Sequence, residues 1–194
     1  MKLILAAAMT TAVLGVAAPV LAQESQSKDG VYANLGWSGT DTQGNMTQSV
    51  TGRVGGRWHQ YFGVEGEVSG GIGGDSRTFG VGTPAQTSLY TKQTLAGAAY
   101  AVGFIPLGPR FDILGRVGYG ASKYDVRPGA VPSYNANENG IRYGVGAQYF
   151  LDGGNGLRVD YTRQHMGNLS DAGGYLVPGS RDAGVWAVSL AHKF

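Results

Sequence analysis

Trp186-Ala187-Val188-Ser189-Leu190-Ala191-His192-Lys193-Phe194 is the stretch that decides how this chain is read. Large side chains at Trp186, Val188, Leu190 and Phe194 alternate with small or polar ones, and His192 is the one polar member of the apolar set. Successive side chains of a strand point to opposite faces, so the segment presents one apolar face and one small, polar face. That suits a wall with lipid on one side and a filled lumen on the other. The closing strand of a soluble sandwich is the alternative.

At the other end, Lys2 precedes the largely apolar run Leu3 to Ala17 and then Pro19-Val20-Leu21-Ala22. A positive start, a short apolar run and a small final residue have the form of a secretory signal peptide. Cleavage is expected between Ala22 and Gln23, which assigns residues 1–22 to the signal and 23–194 to an outer-membrane barrel domain. The run is broken by Thr10 and Thr11 and is short for a spanning helix, which takes about twenty apolar residues. The rest of the chain holds no second apolar run. A membrane destination therefore has to be reached with strands, because only helices and closed barrels satisfy every backbone group in hydrocarbon.

Composition narrows the field further. The 34 glycines follow no collagen-like period and fit close strand packing and turns; with 0 cysteines, disulfides and thiolate metal sites are excluded. A net charge of +2 gives no electrostatic case for nucleic acid. No catalytic, metal or cofactor site is expected.

Period-two alternation gives eight expected strands. The first, Val31 to Ser38, puts Val31, Ala33, Leu35 and Trp37 on one face. The second, from Gln48 to Trp58, sends Val50, Val54 and Trp58 outward and Arg53 and Arg57 inward; the third sets Val64, Val68 and Ile72 against Glu65, Glu67 and Ser69. In the fourth, Lys92 to Phe104, the larger residues Tyr100, Val102 and Phe104 are expected outward with Ala96 and Ala98, over an inner face of Gly97, Ala99, Ala101 and Gly103. The fifth, Phe111 to Ser122, turns Asp112 and Arg116 inward; the sixth, Gly140 to Leu151, turns Arg142 and Gln148 inward; the seventh turns Arg158, Asp160 and Thr162 inward. The terminal strand is the eighth. Connections alternate: residues 39–47, 73–91, 123–139 and 163–184 are long, and 59–63, 105–110 and 152–156 are short. Membrane barrels show this asymmetry, with short periplasmic turns and long outer loops.

Assembled across strands, Arg53, Arg57, Arg116, Arg142 and Arg158 face Glu65, Glu67, Asp112 and Asp160. An unpaired charge in a low-dielectric lumen costs several kcal/mol, so near balance implies mutual pairing. An eight-stranded barrel is just wide enough for side chains to fill. An ionic plug is the simplest reading, and a network that opens for small solutes is the second. Aromatic residues are expected in two girdles: Trp58, Tyr61, Phe62, Phe104, Phe111, Tyr149, Phe150 and Phe194 near the short turns, and Trp37, Tyr119, Tyr143, Tyr161 and Trp186 toward the loops.

Three segments and the terminus carry a family resemblance. Ala98-Ala99-Tyr100-Ala101-Val102-Gly103-Phe104-Ile105-Pro106-Leu107, Gly115-Arg116-Val117-Gly118-Tyr119-Gly120, Gly156-Leu157-Arg158-Val159-Asp160-Tyr161-Thr162-Arg163 and the Phe194 end resemble the porin-like surface antigens of the outer-membrane β-barrel superfamily, relatives of the opacity proteins and of the OmpA transmembrane domain. The resemblance implies an all-β fold, an eight-stranded antiparallel up-and-down transmembrane β-barrel, in the outer membrane of a Gram-negative cell. It implies a structural surface protein, adhesion factor or narrow porin, with outer-membrane lipids and lipopolysaccharide around it and host or extracellular surfaces as partners of the loops. It also implies that Trp186, Val188, Leu190, His192 and Phe194 form a signal read by the barrel assembly machinery. The barrel is expected to be a monomer and, unlike OmpA, to carry no peptidoglycan-binding domain after Phe194.

Some barrels of this size act on lipid A, which keeps a deacylase-like activity as the third reading. His165, Ser170 and Asp171 are the residues available at the outer rim. Such deacylases place serine two residues after the histidine, where this chain has Gly167. A non-enzymatic role in the envelope or at the surface is therefore expected first.

Overall fold

Alternating side chains rich in valine, tyrosine and threonine form strands along most of the described residues: β1 (Gly30–Thr42), β2 (Asn45–Trp58), β3 (Phe62–Gly73), β4 (Asp75–Phe79), β5 (Thr87–Pro106), β6 (Phe111–Pro128), β7 (Tyr134–Phe150), β8 (Asn155–Met166) and β9 (Arg181–Lys193). They are seen in a computed structural model that describes residues 29–42, 45–79, 87–128, 134–166 and 181–194. The expected signal segment, Ala22 and Gln23 included, lies outside the described residues, as do Ser170 and Asp171.

All pairings are antiparallel. β9 returns to β1 in a ladder from Tyr32↔Lys193 to Asp41↔Gly184, which closes the sheet on itself. β3 and β4 both pair with β5, so they are two segments of one stave, and the nine strands make an eight-stranded barrel. Around the break between them the backbones approach closely. The ladder slips by one residue between Gln48 and Ser49 on β2 and between Gln93 and Leu95 on β5. A Cβ at Gly71 would sit 1.7 Å from the Gln93 carbonyl oxygen, and one at Gly74 would sit 2.7 Å from that of Thr91. Only glycine lets the backbones approach so closely.

The connection expected over 73–91 thus contains β4 and the start of β5, and those expected over 39–47 and 123–139 are largely strand. β5, β6 and β7 run 20, 18 and 17 residues, against the roughly 9–11 a tilted strand needs to cross a bilayer. Their far ends continue beyond the apolar belt on the loop side. Polar composition hid them, because a strand outside the membrane needs no apolar face.

The outward face carries Val31, Val54, Val64, Val68, Val117, Val145, Val159, Val188 and Leu190, all exposed on the isolated barrel. Ends of this belt are marked by Trp58, Tyr61, Phe62, Tyr149 and Phe194 at the short turns and by Trp37, Tyr119, Tyr143 and Trp186 toward the loops. One strand reverses the expected orientation. On β5, Ala96, Tyr100, Val102 and Phe104 are buried in the lumen, Ala98 is partly buried, and Ala99, Ala101 and Ile105 face out. Residues directly opposite in an antiparallel pair share a face. Glu65 faces inward and pairs with Tyr100, and Glu67 pairs with Ala98, so the inward carboxylates of β3 fix the orientation of β5. Phe104 consequently leaves the aromatic girdle and packs inside.

The chain has 0 cysteines, so single replacements report orientation cleanly. A spin label at Ala99→Cys is expected to show the oxygen accessibility of a lipid-facing site, and one at Ala96→Cys a protected site. The opposite order would restore the orientation read from side-chain size.

Candidate functional site

The inward faces of the eight staves meet in a lumen filled in layers. At the end bearing the short turns, Arg57 of β2 reaches Asp112 of β6 (Nη1 to Oδ2, 2.8 Å), and Gln148 of β7 donates to the same oxygen at 2.9 Å. His59 and Gln60 both have φ of 51°, a left-handed turn that aims the Gln60 carbonyl at Arg57 Nε, 2.9 Å away. Behind this pair, the Arg57 guanidinium lies 4.1 Å from the Phe104 ring centroid. Phe104 belongs to a buried cluster with Tyr32, Tyr100, Val102 and Leu114.

The main charged cluster lies on the loop side of that apolar layer. Arg158 bonds Glu65 at 2.7 Å and Asp160 at 3.0 Å. Arg53 bonds Glu67 at 2.7 Å and Asp160 at 2.9 Å. Arg116 reaches Glu65 at 3.1 Å and Glu67 at 3.2 Å and donates to the Thr162 hydroxyl. Tyr32 donates to Glu65 at 3.1 Å and Tyr100 to Glu67 at 3.2 Å. Arg158 is 0% and Asp160 1% exposed, so the cluster excludes bulk water. Taking such ions out of water costs several kcal/mol each, which only close pairing with every lone pair engaged offsets.

Six of the nine inward charges named from the sequence, Arg53, Glu65, Glu67, Arg116, Arg158 and Asp160, therefore form one connected cluster, and Arg57 with Asp112 forms a second. Arg142 stands apart on the loop side. It donates to Ser122 at 2.8 Å and approaches Glu67 only to 3.7 Å.

Sequence reasoning missed three parts of the filling. Tyr100, Val102 and Phe104, expected outward by size, are buried in the lumen. Glu138 falls in the stretch read as a loop, yet it lies on β7 and lines a small pocket with Ser122, Arg142 and Gln164. The hydroxyls of Ser38, Thr51 and Ser69 form a chain with spacings of 2.7 and 2.8 Å. The run of serine and threonine at inward positions of β1 to β3, from Ser38 and Thr40 through Thr47, Ser49 and Thr51 to Ser69, is the signal that could have found it.

At the terminus, Trp186, Val188, Leu190 and Phe194 face outward. His192 is half-buried, with Nδ1 2.8 Å from Asn155 Oδ1 and its ring near-perpendicular to Phe194 at 4.8 Å. The Phe194 N–H donates to Val31 O at 3.0 Å and that of Lys193 to Gly154 O at 2.8 Å, so the last residues are clasped by β1 and the turn before β8. On the outer rim at the loop end, His165 Nδ1 lies 2.8 Å from Asp182 Oδ1, while Arg163 donates to Asp182 Oδ2 at 2.8 Å. His165 is thus oriented by a carboxylate. Among the described residues no serine hydrogen-bonds to it.

The family described as outer membrane protein beta-barrel domain matches residues 8–194. Among solved structures, Ail, the attachment invasion locus protein of Yersinia pestis in complex with the heparin analogue sucrose octasulfate, is 15% identical with a TM-score of 0.54, covering 87% of this chain and 100% of its own. OprG from Pseudomonas aeruginosa is 11% identical at a TM-score of 0.60 (88% and 99% covered), and Neisserial surface protein A is 12% identical at 0.53 (87% and 98%). At these identities the likeness is one of fold. No curated protein sequence matches.

Replacing Arg158 by Met takes the shortest partner from Glu65 and one of two from Asp160 and should cost about 3–5 kcal/mol of unfolding free energy, read by urea titration of the barrel in vesicles. Arg142→Met should cost clearly less; equal losses would refute the layered assignment. At the rim, the His165 hydrogen bond and then Arg163 hold the Asp182 carboxyl below the usual carboxylate range. A depressed folded-state value stabilises above the unfolded value and is lost as pH falls through the folded one, that is, in acid below about pH 4. Hydrogen exchange at the β8–β9 rim should therefore quicken relative to mid-barrel amides as pH drops from about 6 to 3, after correction for intrinsic rates; a constant ratio would refute the clamp.

Proposed function

The chain belongs to the outer membrane protein β-barrel family, and from that premise we propose that it is a non-enzymatic surface and envelope-integrity protein whose rigid, closed barrel presents its loop end outward. The observation that carries this reading is the filled lumen. Paired charges, with Arg158 0% exposed, and an apolar layer beneath them leave solutes no open path. The barrel sits in the Gram-negative outer membrane among its lipids and lipopolysaccharide.

In this reading the leader before Gln23 is removed on export. The terminal strand, with Trp186, Val188, Leu190, His192 and Phe194, is offered to the assembly machinery, and the barrel works as a monomer. Contacts with outside surfaces fall to the projecting ends of β5, β6 and β7 and to the connections beyond them. The complex of Ail with a heparin analogue supports a role of this kind for a barrel of the same fold. His165 serves as a rim residue held by Asp182, and lipid A stays chemically unaltered.

Insertion of the refolded chain into a planar bilayer, verified by protease protection, is expected to give no stepwise conductance. Reproducible ohmic steps would overturn the closed-barrel reading in favour of a narrow porin. Mass spectrometry of lipid A from producing cells is expected to show unchanged acylation, and loss of an acyl chain would overturn the non-enzymatic assignment.

A further inference from the structure

We propose that the outward face of β5, β6 and β7, at the loop-side edge of the apolar belt, is a fixed binding site for the phosphorylated sugar head of lipid A; the proposal rests on the reading in which the loop end faces outward. The apolar surface ends there on all three strands. On β5 the last outward apolar residue is Leu95, 52% exposed, and beyond the bulge at Thr94 comes Lys92. On β6, Tyr119 and Ala121 give way to Lys123, Asp125 and Arg127, and on β7, Ile141 gives way to Asn139 and Asn137. Leu95 and Asn137 lie on either side of Lys123, and Lys92 lies opposite Asp125. Facing residues of an antiparallel pair share a face, so these side chains stand together on the outer surface.

Three cations meet one carboxylate, and that carboxylate is occupied: Arg127 grips Asp125 from its own strand, at 2.7 and 3.0 Å. Lys92 and Lys123 have no ion-pair partner among the described residues. The β8–β9 rim differs, since Asp182 there holds both Arg163 and His165. Unmatched positive charge therefore gathers on the β5–β6 arc. Ammonium groups at the edge of the belt stand at the level of lipid headgroups, where long lysine stems can lie along apolar wall. Asn137 and Asn139, both exposed beside them, add amides that donate and accept as sugar hydroxyls require. Phosphate and sugar together specify a phosphorylated glycolipid rather than a phospholipid.

The wall below the lysines fits the rest of that molecule. β5 presents Gly97, Ala99, Ala101 and Gly103 to lipid, about 20 Å of strand with nothing larger than a methyl group. Val64 and Val68 of β3 and Val117 and Tyr119 of β6, all more than half exposed, rise on either side. No close backbone approach calls for glycine here: a Cβ at Gly103 would meet nothing within 4 Å, and one at Gly97 only the Glu67 carbonyl oxygen at 3.7 Å. The resulting trough seats an acyl chain descending from the headgroup.

The full barrel, refolded in detergent, is titrated with bis-phosphorylated lipid A or with phosphatidylglycerol, and retained lipid is read by native mass spectrometry. One tightly held lipid A per barrel is expected. Lys92→Gln with Lys123→Gln should weaken it about thirtyfold, and Gly97→Leu with Ala101→Leu should weaken it while keeping the preference for phosphate. Arg110→Gln, an exposed cation at the short-turn end, should change nothing. Undiminished binding by the lysine variant, or equal retention of phosphatidylglycerol, would overturn the site. Should a variant fail to refold, the wild-type barrel decides: equal retention of lipid A and its dephosphorylated form would overturn it. Labelling of Ser88→Cys on producing cells by an impermeant maleimide separates the site from the reading beneath it. Labelling without a lipid A preference refutes the site alone, whereas no labelling refutes the outward loop end and the site with it.

Discussion

Nine ionised side chains, Arg53, Arg57, Glu65, Glu67, Asp112, Arg116, Arg142, Arg158 and Asp160, are buried inside a ring of eight staves that lipid surrounds. Each is too expensive to leave unpaired, so the strands are obliged to adopt a register that brings opposite charges together. The constraint reaches beyond the charges themselves. Once Glu65 and Glu67 face inward, their partners across the ladder, Tyr100 and Ala98, must follow, and with them the whole of β5. Tyr32 and Tyr100 then cap the two glutamates, and the apolar side chains that arrive with them seal the short-turn end.

This arrangement explains where sequence reading succeeded and where it failed. Strands such as β2, β3, β6 and β8 carry a charge at an inward position and an aliphatic residue at the next, so both faces are named by chemistry. β5 carries no inward charge between Ala96 and Phe104. Size was the only guide there, and size pointed the wrong way, because small residues at Gly97, Ala99, Ala101 and Gly103 can face lipid while large ones fill the lumen. The ends of β5, β6 and β7 look like loops in the sequence for a related reason. Beyond the bilayer the outward face has no apolar requirement, and period two loses its contrast. The Arg53–Glu67 pair joins neighbouring strands whose charged faces the sequence already sets side by side, whereas Arg53 and Asp160 are brought together only by the closure of the barrel.

Function inherits this division. In the proposed reading a filled lumen leaves recognition to the loop end, where composition is polar and carries no recognisable code. Fold likeness to Ail, OprG and Neisserial surface protein A accordingly says more about the scaffold than about what the outer segments touch. The lumen's two sides differ as well: Arg57, Asp112 and the Phe104 layer close the turn end, whereas hydroxyls line the approach from the loops.

The buried charges act on one another as a coupled lattice. A double-mutant cycle on Arg53→Met and Glu67→Gln, read as urea unfolding free energy in phospholipid vesicles, tests it most directly. The lattice predicts a coupling energy of about 1–3 kcal/mol between the two sites. Additivity to within about 0.5 kcal/mol would contradict it.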